Sequence, residues 1–411
     1  MSFSNDFNSS AKFFVEQLAQ ESGHEFQDIA EKILNNERIS MDDGIRIIRS
    51  NDLPVTGQMA NFVRQRKAYE VALRKGFENT TALENTKTVW WNTNLHLNPT
   101  NICIASCDFC AFAKKPKDPD AYTMSNEDAV EKVKTAREEG ATEVHIVGGL
   151  NPKCLIDYYS DLIRAIKKEV PGIHVKAFTA VEIDFFKKFE KDMSYEDIFD
   201  RLIEAGLDSM PGGGAEIFSR AVRDEMCPDK IPADKWAEIH HIAHSKGLKT
   251  NATMLAGIGE EPEERVDHLD ILRKAQDKSL AANNPNEGSF QTFIPLSCHY
   301  EGNDLLERGV KPLTGQDQIK NIIVSRLMLD NFDHIKAYWI QLGPKTAQVA
   351  LNMGANDLDG TVKAERITFA AGSKKRSMAE EQLINIVEGA RLIPRERDTL
   401  YNPIELSLHR V

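Results

Sequence analysis

Between about residue 88 and residue 342 the chain alternates short apolar runs with stretches of helical periodicity. That alternation restricts the fold more than any other feature. The apolar runs fall at 95–98, 143–149, 174–179, 249–255, 289–296 and 335–342, with a shorter one at 209–211. Between them, residues 126–139, 155–168, 195–205, 233–246, 262–276 and 316–330 read as helices. Pro262 suits a first helical position, where its missing N–H costs nothing. Strands separated by helices make a parallel sheet with right-handed crossovers. Seven or so such units favour closure, so the expected fold is an α/β TIM-type (β/α) barrel of six to eight strands. A doubly wound open sheet is the alternative, but no G-x-G-x-x-G follows the first strand.

The flanks read differently. Phe13, Phe14, Val15 and Leu18, then Ile29, Ile33 and Leu34, fall at helical spacing. Ser40 before Met41-Asp42-Asp43 marks a helix start, and a further helix is expected over 56–75. The expected division is a helical cap (1–85), a barrel core (86–360) and a C-terminal extension packing on it (361–411). The extension is expected to hold a short strand at 365–368, a helix at 378–389 and an extended tail.

The composition is that of a globular protein, 41% hydrophobic and 28% charged. The net charge of −12 gives no global attraction to nucleic acid or to an anionic membrane. No run of about 18 apolar residues occurs, so no membrane span is expected. The start, MSFSNDFNSS, shows no secretory signal pattern, and the cytoplasm is the expected compartment. The 6 cysteines are too sparse for a disulfide framework.

Three of them, Cys103, Cys107 and Cys110, form C-x3-C-x2-C directly after the first barrel strand. Three thiolates on one short loop can ligate three irons of a 4Fe-4S cube and leave the fourth open for a substrate. Zinc would want a fourth Cys or His close by, and His96 on the preceding strand is awkwardly placed. Zinc and three unrelated buried cysteines remain the competing readings. Glycines cluster where strands end, at Gly148-Gly149, Gly212-Gly213-Gly214 and Gly257, which in a barrel is the ligand-binding mouth. His240, His241 and His244 make H-H-x-x-H without the Glu of a metalloprotease, and are expected to face solvent or cap a helix. Cys154, Cys227 and Cys298 are expected to be non-ligands, with Cys298 notable for following a strand end.

C-x3-C-x2-C with an aromatic, Phe109, before the last cysteine resembles the signature of the radical S-adenosylmethionine (SAM) superfamily. That resemblance implies a 4Fe-4S cluster on the three cysteines, SAM bound at the open iron, and release of a 5′-deoxyadenosyl radical. It implies that Gly148 and Gly149 receive the methionine amino group, that Asn251 and Thr253 lie near the adenine, and that Glu182 binds polar groups of SAM.

A finer resemblance runs from about Ser40 to Tyr401. It rests on His96-Leu97-Asn98-Pro99-Thr100-Asn101, His174 to Ile183, Pro211 to Glu216, Asn251 to Met254, Arg265 to Leu269, His334 to Trp339 and Pro394 to Thr399. These segments resemble the aminofutalosine synthase family of menaquinone biosynthesis. The implied reaction adds the adenosyl radical to 3-[(1-carboxyvinyl)oxy]benzoate, with rearrangement and loss of carbon dioxide, giving 6-amino-6-deoxyfutalosine and methionine. An external one-electron reductant such as flavodoxin or ferredoxin is implied as partner. The related dehypoxanthine futalosine cyclase is one alternative, and a non-catalytic iron–sulfur or zinc scaffold is another. The substrate of this reaction carries two carboxylates, so cationic or donor groups are needed. Lys336, Arg397, His96 and Lys176 are the candidates.

Overall fold

The computed structural model describes residues 9–404 except 283, 285, 286, 363–365, 371 and 373–376. Most of the opening decapeptide and the end of the tail lie outside the described residues, as does the first residue of the strand expected at 365–368.

Ten strands occur among the described residues: β1 (Thr88–Asn92), β2 (Asn94–Leu97), β3 (Glu143–Ile146), β4 (His174–Ala177), β5 (Ser209–Met210), β6 (Lys249–Ala256), β7 (Phe290–Ser297), β8 (His334–Ile335), β9 (Asp357–Gly360) and β10 (Ile393–Glu396). Strands β2 to β8 form one parallel sheet in chain order, each beside its successor. This is the seven-stranded wall of a (β/α) barrel, within the expected range of strands. Sequential order follows from the crossovers: each helix is long enough to return the chain one strand along and no further.

The helices start where local chemistry dictates. Ser40 with Asp43, Thr179 with Glu182, Ser194 with Asp197 and Thr314 with Asp317 are reciprocal capping boxes, each satisfying two orphan backbone donors. The helix Tyr195–Ala205 stops on Gly206 at φ 114°, a left-handed conformation that glycine adopts without strain. Before β1 the chain is helical, with Met41–Arg49 and the long Leu53–Arg74 packed on the barrel helix Gly315–Met328.

Several segments differ from the sequence reading. Ile335–Leu342 is not one strand. After Ile335, Lys336 N–H still donates to Phe293 of β7 at 2.9 Å, but Ala337 N–H donates to Asp357 of β9 at 2.8 Å. The chain thus transfers its ladder from the barrel to β9, then turns into the short helix Trp339–Leu342. Residues Ile367–Ala370 are a helical turn rather than a strand. The run Thr88–Asn92, not expected as a strand, is β1, and the helix Ala180–Phe189 was likewise unmarked. His240 and His244 do not face solvent. They are buried, and both approach Thr250 Oγ1, His240 Nδ1 at 3.0 Å and His244 Nε2 at 2.8 Å.

A second parallel sheet, ordered β10-β1-β9, covers what the barrel leaves open. Its β1 runs through Thr93 directly into β2, and its β9 meets the β8 edge at the Lys336–Asp357 bridge. The lock is Arg397, which follows β10. Its Nε donates to Asp357 Oδ2 at 2.7 Å, and its guanidinium lies 4.1 Å over the Tyr401 ring. Tyr401 in turn stacks on His334 of β8, with ring centroids 3.5 Å apart.

Arg397→Ala leaves Asp357 as an unpaired buried carboxylate, and is expected to cost about 3–5 kcal/mol in denaturant unfolding. A loss under 1 kcal/mol would show that the pair is not the lock. Burial also pushes His244, His268 and His334 down to about 3 from 6.5. A depressed histidine contributes stability that is present above its unfolded value and lost as pH falls. Each is expected to cost about 1.4 kcal/mol per pH unit below 6.5. Melting temperature against pH should therefore fall steeply between pH 6.5 and 4.

Candidate active site

The loops that follow the barrel strands surround a cavity of about 350 Å³, a volume suited to a small-molecule ligand. Its upper wall is the cysteine loop after β2, Gly148-Gly149 after β3, Thr179 and Glu182 after β4, and Pro211 to Gly214 after β5. Its lower wall is formed by polar side chains of the strands themselves.

Cys103, Cys107 and Cys110 all line this cavity and all are unpaired thiols. Their loop is held at both ends. Cys103 N–H donates to Lys114 O at 3.0 Å, Ile104 N–H to Leu150 O at 3.1 Å, and Asp108 N–H to Met226 O at 3.0 Å. Gly149 is where the loop crosses the β3 turn. A Cβ there would sit 2.2 Å from Ile102 O, so only glycine allows the approach. Leu150 N–H donates to Cys103 Sγ at 3.3 Å, and burial raises the Cys110 thiol against the opposing pull of the Ala113 and Phe112 backbone. Backbone donors aimed at sulfur are what a thiolate-held cluster uses. Burial pushes the Cys107 thiol up to about 12, opposed by the charge of Lys230. Ligation therefore releases protons.

Among the described residues no three His, Cys, Asp or Glu side chains converge to hold a single metal ion. Zinc needs its donors around one point. A 4Fe-4S cube takes each thiolate on a separate iron, and three free thiols on one loop at one cavity supply that donor set.

The other expected cofactor residues also meet at the cavity. Glu182 lines it, but its carboxylate is engaged: Oε1 accepts from Gly148 N–H at 3.0 Å, and Oε2 from Thr179 N–H at 2.7 Å. It holds the Gly148 turn to the start of the helix Ala180–Phe189. Burial raises it to about 7 in spite of these donors. Thr253 Oγ donates to Gly212 O at 2.7 Å, fixing β6 to the glycine loop, and Asn251 Oδ1 accepts from Gln291 at 3.3 Å. Cys298 lines the cavity too, its thiol pushed up to about 12 by burial.

The lower wall is charged. In the sheet register His96, His145 and Lys176 are successive cross-strand neighbours on β2, β3 and β4. The rings of His96 and His145 meet edge to face at 4.8 Å. Lys176 Nζ donates to Glu143 Oε2 at 2.7 Å, and Lys336 Nζ to Asp359 Oδ1 at 2.6 Å. Burial alone would raise Glu143, but the Lys176 charge brings it well below the carboxylate range. The structure thus brings His96, Lys176 and Lys336 together. Arg397 does not join them: it is absent from the cavity lining, because its guanidinium is spent on Asp357 and Tyr401.

Sequence reasoning missed Glu143, His145, Asp359 and Lys230, all of which line the cavity. A signal existed for the first two. A strand buried on both faces in a parallel sheet reads as a continuous apolar run, and polar residues at alternate positions 94/96, 143/145 and 174/176 mark the face turned to a cavity. Lys230 and Asp359 carry no such periodic mark.

This fold, with three thiols at the mouth of a parallel barrel, defines a class of radical SAM enzyme. The radical SAM superfamily model matches residues 97–272, and the CofH/MqnC C-terminal region matches residues 287–410. The chain is 41% identical to the aminodeoxyfutalosine synthase of Thermus thermophilus over 92% of its own length and 95% of the relative's. It is 37% identical to a 5-amino-6-(D-ribitylamino)uracil–L-tyrosine 4-hydroxyphenyl transferase of Methanopyrus kandleri, over 85% and 91%. It is 33% identical to the cyclic dehypoxanthine futalosine synthase of Halalkalibacterium halodurans, over 92% and 94%. Among solved structures, the FeFe-hydrogenase maturase HydG of Carboxydothermus hydrogenoformans shares the fold, with a TM-score of 0.67 at 15% identity, over 95% of this chain and 84% of that one. The chain belongs to the radical SAM family that contains the aminodeoxyfutalosine synthases, and it is an enzyme.

Replacing any one of Cys103, Cys107 or Cys110 by Ala is expected to abolish the visible absorbance of the anaerobically reconstituted protein and its turnover. Gly149→Ala is expected to lower iron content at least several-fold, since its Cβ displaces Ile102. Iron and sulfide analysis reads both, and full iron in any cysteine variant would remove that residue from the site.

Proposed function

We propose that the chain is an aminodeoxyfutalosine synthase. It joins the 5′-deoxyadenosyl group of SAM to the enol ether of 3-[(1-carboxyvinyl)oxy]benzoate, with rearrangement and loss of carbon dioxide. The products are 6-amino-6-deoxyfutalosine and methionine, on the route to menaquinone. The observation that carries this reading is 41% identity to a relative of that name across nearly the whole of both chains.

The cavity supports it. Cys103, Cys107 and Cys110 would hold the cluster, whose open iron binds SAM and supplies the electron that cleaves it. Gly148, Gly149, Glu182, Asn251 and Thr253 shape the SAM side, Glu182 acting through the Gly148 turn it holds. His96, Lys176 and Lys336 face the substrate side. Each lysine is paired to one acid and retains further N–H donors for a carboxylate. Ile294, Leu296 and Tyr338 add apolar surface to the cavity lining, against which an aromatic ring can pack. An external flavodoxin or ferredoxin supplies the electron. No described helix is long and apolar enough to cross a membrane, and we read the enzyme as cytoplasmic. We keep the division into a cap (1–85), a core (86–360) and an extension (361–411), which the helical run before β1 supports.

Reduced, reconstituted protein given SAM and the enol ether is expected to yield, by mass spectrometry, a product containing both the adenosyl group and the benzoate ring, less carbon dioxide. Free 5′-deoxyadenosine alone would reject this substrate and direct the test to dehypoxanthine futalosine. Lys336→Ala is expected to raise KM for the enol ether about tenfold or more, as befits the loss of roughly 1.5–3 kcal/mol of charged hydrogen bonding, with iron content unchanged. An unaltered KM would exclude Lys336 from the carboxylate site.

A further inference from the structure

The segment from Met226 to Lys230 grips the cysteine loop at three points. Asp108 N–H donates to Met226 O at 3.0 Å. Asp229 Oδ2 accepts from Ser106 N–H at 2.8 Å and from Ser106 Oγ at 2.7 Å. Lys230 Nζ lies 5.3 Å from the centroid of the Phe109 ring, the aromatic between Cys107 and Cys110. Its ammonium is ion-paired to Glu216, and both side chains line the cavity, 16% and 10% exposed.

A buried ammonium is expensive to keep, and the structure strains to keep this one. Glu216 holds φ at +48°, a left-handed conformation that a non-glycine residue adopts only at a cost. Strain of this kind persists where the surroundings impose it, which is common at functional sites. A latch for the loop would need only Asp229 and the Met226 carbonyl. The cation over Phe109 adds something else: it sets a charge beside the aromatic that lies between Cys107 and Cys110, in the cavity that all three thiols line.

We propose that Lys230, held by Glu216 over Phe109, is the fixed counter-charge of the three-thiolate site and a positioning residue for its redox poise. The inference rests on the cluster reading above. A cube held by three thiolates is net negative and gains one more negative charge on reduction. In a water-poor site a cation nearby stabilises the reduced form and an anion destabilises it. Lys230 therefore makes the cluster easier to reduce, and Glu216 moderates the effect while anchoring the ammonium.

The test uses the full chain, reconstituted anaerobically, as wild type, Lys230→Gln, Lys230→Arg and Glu216→Gln. Iron and sulfide are counted, folding is checked by circular dichroism, and midpoint potential is read by spin-resonance-monitored titration without SAM. Lys230→Gln is expected to shift the potential negative, Glu216→Gln to shift it positive, and Lys230→Arg to stay near wild type. Opposite signs for the two Gln variants are what a merely structural pair would not produce. No shift in either, or shifts of the same sign, would overturn the proposal. If Lys230→Gln binds no cluster or does not fold, the sign of the Glu216→Gln shift decides alone. Wild-type protein that takes up no iron or sulfide would be a different failure, that of the cluster reading itself.

Discussion

A parallel sheet that curls without meeting itself leaves two edges of unpaired N–H and C=O groups, and the rest of this structure depends on how those edges are covered. Here β2 and β8 are the edges. The second sheet links the two: its β1 leads into β2, and its β9 bridges the end of β8 through Lys336 and Asp357, with β10 on the far side of β1. One buried ion pair, Asp357 with Arg397, fastens that cover. Its formation decides more than stability. It takes Arg397 out of the cavity and sets Asp357 and Asp359 beneath the end of β8, where Asp359 meets Lys336.

The cavity then has two chemically distinct walls for two distinct reasons. The upper wall is backbone and sulfur: glycines and capping boxes bring N–H groups and thiols close, because the strands all end there and side chains would block the approach. The lower wall is side-chain charge, carried on strand positions of one parity. Its lysines and acids are paired before any ligand arrives, so the site carries little net charge of its own. An anionic substrate entering such a site meets donors that are already oriented, and orientation costs it less than drawing flexible lysines in from solvent.

The grip of the 226–230 segment on the cysteine loop joins these two walls to a third element. It comes from the β5 side of the barrel, far along the chain from the motif, and brings a cation to a place where the motif has none. The aromatic Phe109, which the signature alone marks only as a preferred residue type, becomes the surface on which that cation rests.

Much was legible in the sequence because it is local. The alternation of strands and helices, the helix start at Ser40 with acids in its first turn, and the cysteine spacing are all fixed within a few residues, where backbone geometry sets the period. His96, Lys176 and Lys336 could be singled out because a charge in an apolar strand is conspicuous. The second sheet and the fate of Arg397 could not be read this way. The strand Asp357–Gly360 reads Asp-Leu-Asp-Gly and so has no apolar run to detect, and an ion pair between residues 357 and 397 leaves no mark at either position. The sequence by itself determined the class of fold, the loop that carries the thiols and the kind of groups the site needs. Only the tertiary structure decided which charge meets which, because electrostatic partners are chosen by distance in space, and that is set by the closure of the barrel.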